Sequence, residues 1–504
     1  MNVGLGTFPR RRAAVRPQDP AIEFEGTSRT FAEVSQRVSQ VANALQDRGV
    51  RHGDRVAYVG FNHPNLLETF FGANLLGATP VLVNPRLSPA EVSYILDDSE
   101  AKVVMYGAEQ ERSAQTLSPR DERRWVAIDG EALEGTRFET FNDFLASGST
   151  ADVDAEVSDD DLALIMYTSG TTGRPKGAML THRNLTYQYF NALLSADVRS
   201  DEVHLAVAPL FHIAGLNMMT IPTFMMGGHI IIQRAFKAPK VLETIAGERV
   251  TSAFMVPAMI DSLAASDGFS ETDLSSLRAI MVGGSPLPER SIRVWAERDV
   301  KIMQGYGMTE AGPGVCLLES RDALTKAGTA GRSHFWTEVR LVDPATGEDV
   351  EDGQTGEVWA RGPHVMKGYW NREEATAAAL QDGWYHTGDI ASRDSDGFYT
   401  IKDRIKDMYI SGGENVYPAE VENALLNVPG VLDAAVIGVP DERWGETGRA
   451  YVVVEPGHDD PAQLREELSA RLARYKLPRD VVVVDELPRT TTGKIQKNVL
   501  RQQV

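Results

Sequence analysis

A short apolar run that breaks abruptly into a stretch of glycines, hydroxyls and lysine constrains this chain more than any other feature. Leu162-Ala163-Leu164-Ile165-Met166 reads as a buried strand. Tyr167-Thr168-Ser169-Gly170-Thr171-Thr172-Gly173-Arg174-Pro175-Lys176-Gly177 follows at once, with a composition that suits neither helix nor strand. Glycines let the backbone turn its N–H groups inward, hydroxyls add short donors, and lysine adds a mobile positive charge. That set matches the oxygens of a polyphosphate. Gly/Ser/Thr clusters are usually plain loops, but a continuous run of this kind is more specific. The common P-loop is excluded, because Lys176 is followed by Gly177 rather than by Ser or Thr.

The chain has 504 residues, enough for about two to four domains. Hydrophobic residues make up 42%, an ordinary globular composition. A net charge of −20 argues against nucleic acid or an anionic membrane as a broad-surface partner. A polyanionic ligand must therefore be held by local cations, N–H groups or a metal. The single cysteine, Cys316, excludes an internal disulfide framework, fits a cytoplasmic location and reads as a small core residue. No secretory signal is expected at Met1–Pro9, which runs into Arg10-Arg11-Arg12. The greasiest region, 218–232, is interrupted by Pro222, Gly227, Gly228 and His229 and is too short to span a bilayer. Peripheral membrane contact through Arg10, Arg11, Arg12 and Arg16 stays open, as does oligomerisation.

Helix and strand patterns alternate over the first 150 residues. Phe31, Val34, Val38, Val41 and Leu45 have helical spacing behind a Thr30 N-cap; 56–59 reads as a strand, 65–76 as a helix and 80–84 as a strand. This predicts stacked α/β layers with a largely parallel sheet. Residues 108–158 are polar and read as including surface connections, and alternation resumes from 159 to about 330. From Gly331 the texture is more β-like, with strands at 339–342 and 356–360 and turns at Asp343-Pro344 and Asp352-Gly353. After Asp403-Arg404 a tail of about a hundred residues reads as helix 418–427, strands 433–438 and 449–454, helix 461–474 and strand 481–485, a small α+β domain.

Five further segments carry unusual chemistry. Pro209-Leu210-Phe211-His212-Ile213-Ala214-Gly215 sets a histidine among small residues, where taken alone it reads as core. Gln304-Gly305-Tyr306-Gly307-Met308-Thr309-Glu310 offers a ring to stack on a base, with a hydroxyl and a carboxylate suited to Mg²⁺. Tyr385-His386-Thr387-Gly388-Asp389 supplies a carboxylate for paired ribose hydroxyls, or an Asx-turn. Asp403-Arg404-Ile405-Lys406-Asp407 is a charge run that also reads as a solvated hinge. Pro488-Arg489-Thr490-Thr491-Thr492-Gly493-Lys494-Ile495 is a second Gly/Thr/Lys loop, far from the first.

In this order, together with Ser411-Gly412-Gly413-Glu414-Asn415, these segments resemble the adenylate-forming superfamily of acyl-CoA synthetases, luciferases and peptide-synthetase adenylation domains, over essentially the whole chain. Bacterial fatty-acyl and aryl-CoA synthetases are the most similar branch. The resemblance implies a large α/β N-terminal domain over 1–403, with multiple layers of mixed and parallel sheet. It implies a small mobile α+β domain over 404–504, with its hinge at Lys406. It also implies two steps: a carboxylate attacks the α-phosphorus of ATP to give acyl-AMP and pyrophosphate, then the thiol of coenzyme A displaces AMP.

By the same resemblance, Thr168, Ser169, Gly170, Thr171, Thr172, Gly173 and Lys176 hold the β- and γ-phosphates, and Glu310 holds Mg²⁺. Gly283, Gly284, Ser285, Gly305, Tyr306 and Gly307 surround the adenosine, Thr309 contacts the α-phosphate, and Asp389 with Arg404 takes the ribose. Lys494 bridges the substrate carboxylate and the α-phosphate. Gly413, Trp444, Tyr475 and Lys476 are the expected coenzyme A contacts. His212 becomes a gate at the acyl pocket, with Ala214, Gly215 and Gly307 beside it. An amino acid substrate is disfavoured, since 211–217 contains no acid. Met218, Met219, Phe224, Met225, Met226, Phe254, Met255 and Met259 suit an apolar pocket, although most of these methionines read equally as core. A medium- or long-chain fatty acid ranks first as substrate, an aryl, hydroxycinnamic or cyclic acid second, and loading of a carrier protein third. The tail Arg501-Gln502-Gln503-Val504 has no peroxisomal tripeptide, which disfavours a luciferase-like oxygenase.

Overall fold

Residues at alternate positions along the first strands face two different cores, and this organises the large part of the molecule. The computed structural model describes residues 2–117, 122–135, 137–153, 155–168, 175–285, 287–405, 407–411, 414–441, 445–469, 471–472, 474–490 and 494–503. In the strand Arg55–Val59, Val56 and Tyr58 join one apolar cluster while Ala57 and Val59 join another. In His229–Ile232, Ile230 and Ile232 share the first cluster, and Ile231 turns to a third. Both faces of both sheets are therefore covered, as parallel sheets require.

Among the described residues the first sheet has eight strands, ordered Gly368–Tyr369, Lys176–Thr181, Leu162–Thr168, Thr79–Val83, Arg55–Val59, Ala101–Tyr106, Arg124–Ala127 and Phe138–Thr140. The second has nine, from Arg332–Ser333 through Gly314–Leu318, Ile302–Gly307, Ala279–Val282, Ser252–Met255, Val203–Ala206 and His229–Ile232 to Pro20–Phe24 and Thr27–Thr30. Central pairs are parallel and the other edges antiparallel, except that the edge strand Phe138–Thr140 pairs in parallel with Arg124–Ala127. The helices Phe31–Asp47 and Pro64–Leu76 share a cluster with residues of both sheets and so lie between them. Every residue of Pro64–Leu76 is buried. Its one carboxylate, Glu68, is fully buried and satisfied by Arg29 and Arg37, each at 2.6 Å.

The expected Thr30 cap is present as a capping box: Thr30 Oγ1 accepts from Glu33 N at 3.2 Å, and the Glu33 carboxylate accepts from Thr30 N at 2.7 Å. Residues 108–158 also hold two strands that the sequence pattern did not reveal: Arg124–Ala127 and Phe138–Thr140 extend the eight-stranded sheet, and Trp125 is buried. These strands are too short, and too closely flanked by charge, for a period of two to emerge.

A smaller antiparallel sheet follows, with Glu338–Val342, Thr355–Arg361, Trp384–Arg393 and Leu380–Gln381 in order, and Tyr399–Arg404 paired to Trp384–Arg393. The last sheet contains Val431–Asp441 and Gly445–Val454, with Asp480–Val483 parallel to the latter, and the helices Pro418–Leu426 and Pro461–Ser469 share its core. The second of these helices is shorter than the expected 461–474; a separate 3₁₀ turn at Arg474–Lys476 follows. Among the described residues no helix is long and apolar enough to cross a membrane.

Six histidines, His63, His182, His204, His212, His334 and His364, are held below the ordinary imidazole range, to about 3 or 4, primarily by burial. Their folded pKa values are depressed, so the unfolded chain binds more protons between pH 6.5 and about 4. Stability should be fully present above pH 6.5 and fall as pH drops through that window. A melting temperature unchanged between pH 7 and pH 4.5 would contradict this.

Candidate active site

The hairpin formed by Ile302–Gly307 and Gly314–Leu318 forms one side of the site. Gly307 faces Gly314 across it, and a Cβ on Gly307 would lie 1.8 Å from the Pro313 carbonyl oxygen, so no other residue fits without a backbone shift. Beside the hairpin is a cavity of about 580 Å³. Of the residues singled out in the sequence, His212, Ala214, Gly215, Gly283, Gly284, Gly305, Tyr306, Gly307, Thr309 and Lys494 all line it. Residues from the nine-stranded sheet thus meet a lysine from the chain's last segment.

Lys494 is held by its own loop. Its N–H donates to Thr490 Oγ1 at 3.1 Å, Thr490 N donates back to the Lys494 carbonyl at 2.7 Å, and Arg489 bridges Ile495. The C-terminal sheet is fastened to the large part by Arg290, whose guanidinium donates to the carbonyls of Leu426, Val431 and Leu432 at 3.2–3.4 Å. Asp403 adds a second clasp by accepting from Ala419 N at 2.8 Å.

Tyr306 donates its hydroxyl to Asp389 Oδ2 at 2.8 Å, and Arg404 Nε lies 3.1 Å from Asp389 Oδ1. Asp389 and Arg404 are register partners on neighbouring strands, so the ion pair is built into the sheet. Burial first, and then Asp389, pushes the Tyr306 hydroxyl well above its ordinary range, which keeps it a donor. Asp389 is 5% exposed, and its carboxylate keeps lone pairs for further donors.

A second group surrounds Glu310. Its Oε1 accepts from Thr168 Oγ1 at 3.3 Å and from Tyr369 OH at 2.9 Å. Lys176 lies over the Tyr369 ring, 5.4 Å from its centroid. Lys176 and Gly177 are not loop residues but open the returning strand Lys176–Thr181, where Lys176 pairs in register with Thr168. Among the described residues no three His, Cys, Asp or Glu side chains converge as a metal site. One buried carboxylate flanked by hydroxyls therefore suits a cation that brings most of its own ligands, as Mg²⁺ does with phosphate oxygens and water.

His212 packs at a tilt against Phe211 with ring centroids 4.7 Å apart, and its Nε2 has no hydrogen-bond partner among the described residues. Burial, with Arg86 second, lowers its pKa to about 4, so it is neutral at working pH. It lies where the chain turns into the π-helical segment Gly215–Thr220, closed by Thr220 Oγ1 donating to the Gly215 carbonyl at 2.8 Å.

Several expected residues lie elsewhere. Of the expected apolar pocket residues, Met218, Phe254 and Met259 line the cavity. Met219, Phe224 and Met255 pack in the cores, and Met225 and Met226 pack against them. Tyr475 packs against the C-terminal core and Lys476 is paired with Glu420 at 2.6 and 2.8 Å. Ser285 is exposed. Ser169, Gly170, Thr171, Thr172, Gly173, Lys406, Gly413 and Trp444 lie outside the described residues. Sequence reasoning missed Tyr369, which reaches Glu310 from a strand with no motif around it, and Arg290, an ordinary surface arginine in sequence.

Two facing α/β sheets, a small C-terminal sheet and a lysine from that last unit beside the Gly283–Thr309 cavity define an adenylate-forming enzyme. The chain belongs to the AMP-binding enzyme family: residues 9–370 match the model of that family and residues 420–494 that of the AMP-binding enzyme C-terminal domain. It is 47% identical over 502 residues to a feruloyl-CoA synthase of an Amycolatopsis species, covering 99% of each chain. It is 40% identical over 508 residues to a long-chain-fatty-acid–CoA ligase of Mycobacterium tuberculosis, covering 99% of this chain and 98% of the relative. Among solved structures, an anthranilate CoA ligase in complex with anthranoyl-AMP superposes with a TM-score of 0.93 at 30% identity, covering 100% of this chain and 97% of that one. The chain is therefore an acid–thiol ligase of the acyl- and aryl-CoA synthetase class, with ATP and coenzyme A as co-substrates.

Replacing Gly307 with Ala should reduce kcat/KM about tenfold or more, because the new methyl group displaces the hairpin carrying Tyr306 and Thr309. Gly247, which has no atom within 4 Å of a built Cβ, is the control: Gly247→Ala should leave activity unchanged. Equal activity in both variants would remove the hairpin from the account.

Proposed function

We propose that this enzyme activates a planar aryl-propenoic acid of the hydroxycinnamate type to its acyl-AMP and transfers the acyl group to coenzyme A. The observation that carries this reading is the cavity itself. It has about 580 Å³ in which to hold both the reacting phosphate and the acid. Phe211, Met218, Phe254 and Met281 give the cavity an apolar and aromatic lining that suits a conjugated ring, with Gly314 adding a wall without a side chain. The feruloyl-CoA synthase relative, at 47% identity, supports the same substrate class. A fatty acid is the second reading, favoured by the Mycobacterium relative.

The first step joins two anions, so alignment and charge neutralisation dominate. Lys494 is assigned to bridge the acid carboxylate and the α-phosphate, with Thr309 on the same phosphate. Asp389 and Arg404 orient the ribose, Tyr306 with Gly283, Gly284, Ser285, Gly305 and Gly307 holds the adenosine, and Thr168 to Lys176 takes the β- and γ-phosphates. Glu310, with the Thr168 and Tyr369 hydroxyls beside it, would hold Mg²⁺ arriving with ATP, which supplies charge neutralisation on the phosphates. For the second step the unit after Asp403 turns about Lys406, withdrawing Lys494 and bringing Gly413 to the thiol path; Trp444, Tyr475 and Lys476 are assigned to coenzyme A in that arrangement. His212, being neutral, gates the path and takes no proton. The acyl-AMP already carries a good leaving group, so the thiol needs alignment more than a strong base.

A panel of acids measured for AMP release with and without coenzyme A tests the reading. Ferulate and 4-coumarate should exceed decanoate and palmitate about tenfold or more in kcat/KM. A preference for the fatty acids would overturn the aryl assignment and leave the ligase class intact.

A further inference from the structure

One wall of the acid cavity conceals a buried polar pair that no step above uses. Gly314 and Met218 line the cavity. A Cβ built on Gly314 would lie 2.7 Å from His334 Nε2 and 3.0 Å from Gln188 Nε2, so both nitrogens lie on the side of Gly314 to which a side chain would point. Gln188 is 0% and His334 2% exposed. The far ends of both side chains are fixed. Gln188 Oε1 accepts from Gly314 N at 3.2 Å, which commits the amide nitrogen to the other side. His334 Nδ1 pairs with Ser195 Oγ at 2.9 Å.

The near ends are poorly satisfied. Gln188 Nε2 donates to the Met218 thioether at 3.3 Å, and sulfur is a weak acceptor. His334 Nε2 has no partner among the described residues. A buried polar atom without a partner is costly and calls for a reason. Burial also holds the His334 ring neutral, its pKa lowered to about 3. In the tautomer that donates from Nδ1 to Ser195, Nε2 is an acceptor, so the pair offers one acceptor and one donor side by side. A hydroxyl needs that combination, and a hydrocarbon terminus can use neither atom.

We propose that Gln188 and His334 form a hydroxyl-reading subsite beside Gly314, opened when the flexible Met218 side chain moves off Gln188, and that its ligand is the ring hydroxyl of a hydroxyaryl acid. The phenol donates to His334 Nε2 and accepts from Gln188 Nε2. Gly314 is essential to this geometry, because any side chain there would fill the approach. The inference rests on the aryl-acid reading and assigns the residues that choose among aryl acids.

The test compares 4-hydroxycinnamate with cinnamate, which lacks only the hydroxyl, in the wild type and in Gln188→Leu and His334→Leu. The wild type should prefer the hydroxy acid by about tenfold or more in kcat/KM, since a site built to bond a hydroxyl discriminates against the analogue without one. Each variant should lose most of that preference through the hydroxy acid alone, with cinnamate turnover kept within about threefold. Retained turnover of cinnamate also reports that the variant is folded. A wild type that does not distinguish the two acids overturns the subsite without any variant. So does an unchanged preference in the variants, or an equal loss with both acids, which marks a purely structural pair. If neither acid is a substrate while fatty acids are, the aryl reading and the subsite fall together.

Discussion

The hydrogen bond from Tyr306 to Asp389 joins two separately built sheets, and the position of everything around the cavity depends on it. Tyr306 ends a strand of the nine-stranded sheet, and Asp389 lies in the antiparallel sheet that follows. Because Asp389 is also in register with Arg404, one carboxylate links the Tyr306 side of the cavity to the chain's exit toward its C-terminal unit. Arg290 and Asp403 then fix that unit so that Lys494 reaches the cavity that Thr309 also lines. The path from sheet to Lys494 is a short chain of charge-assisted bonds, which are stronger than neutral ones.

Charge explains why the lysine must come from elsewhere. The protein carries a net charge of −20 and handles a polyphosphate and a carboxylate. A permanent cation cluster at the α-phosphate would hold the first step's reactants well, but it would stand in the way of the thiol in the second. In the proposed mechanism, a lysine on a loop closed by Thr490 and Ile495, attached through a few clasps, would meet both demands. A neutral, buried His212 fits the same logic, since a charged imidazole beside Arg86 would add to the electrostatic cost.

Much of this was legible in the sequence where local chemistry is dense. The strand before the Gly/Thr stretch, the Thr30 cap, the Ile302–Gly307 strand and the tail's helices and strands carry periodicity or turn signals strong enough to read. The cavity residues between Gly283 and Thr309 were legible because glycine, aromatic and hydroxyl residues together have few structural uses. What escaped depends on tertiary contact. Tyr369 reaches Glu310 across 59 residues of sequence, and Gln188 meets Gly314 across 126. The methionines at 219, 225, 226 and 255 share the composition of pocket residues, and only the fold separates core from wall.

The central claim is that Lys494 serves one half-reaction and not the other. Measuring acid-dependent ATP–pyrophosphate exchange and the conversion of pre-made acyl-AMP by coenzyme A in Lys494→Ala tests it directly. Exchange should fall by ~10²–10³, the scale of removing one donor to developing charge, while thioester formation from acyl-AMP persists near the wild-type rate. Equal survival, or equal loss, of the two half-reactions would contradict the account.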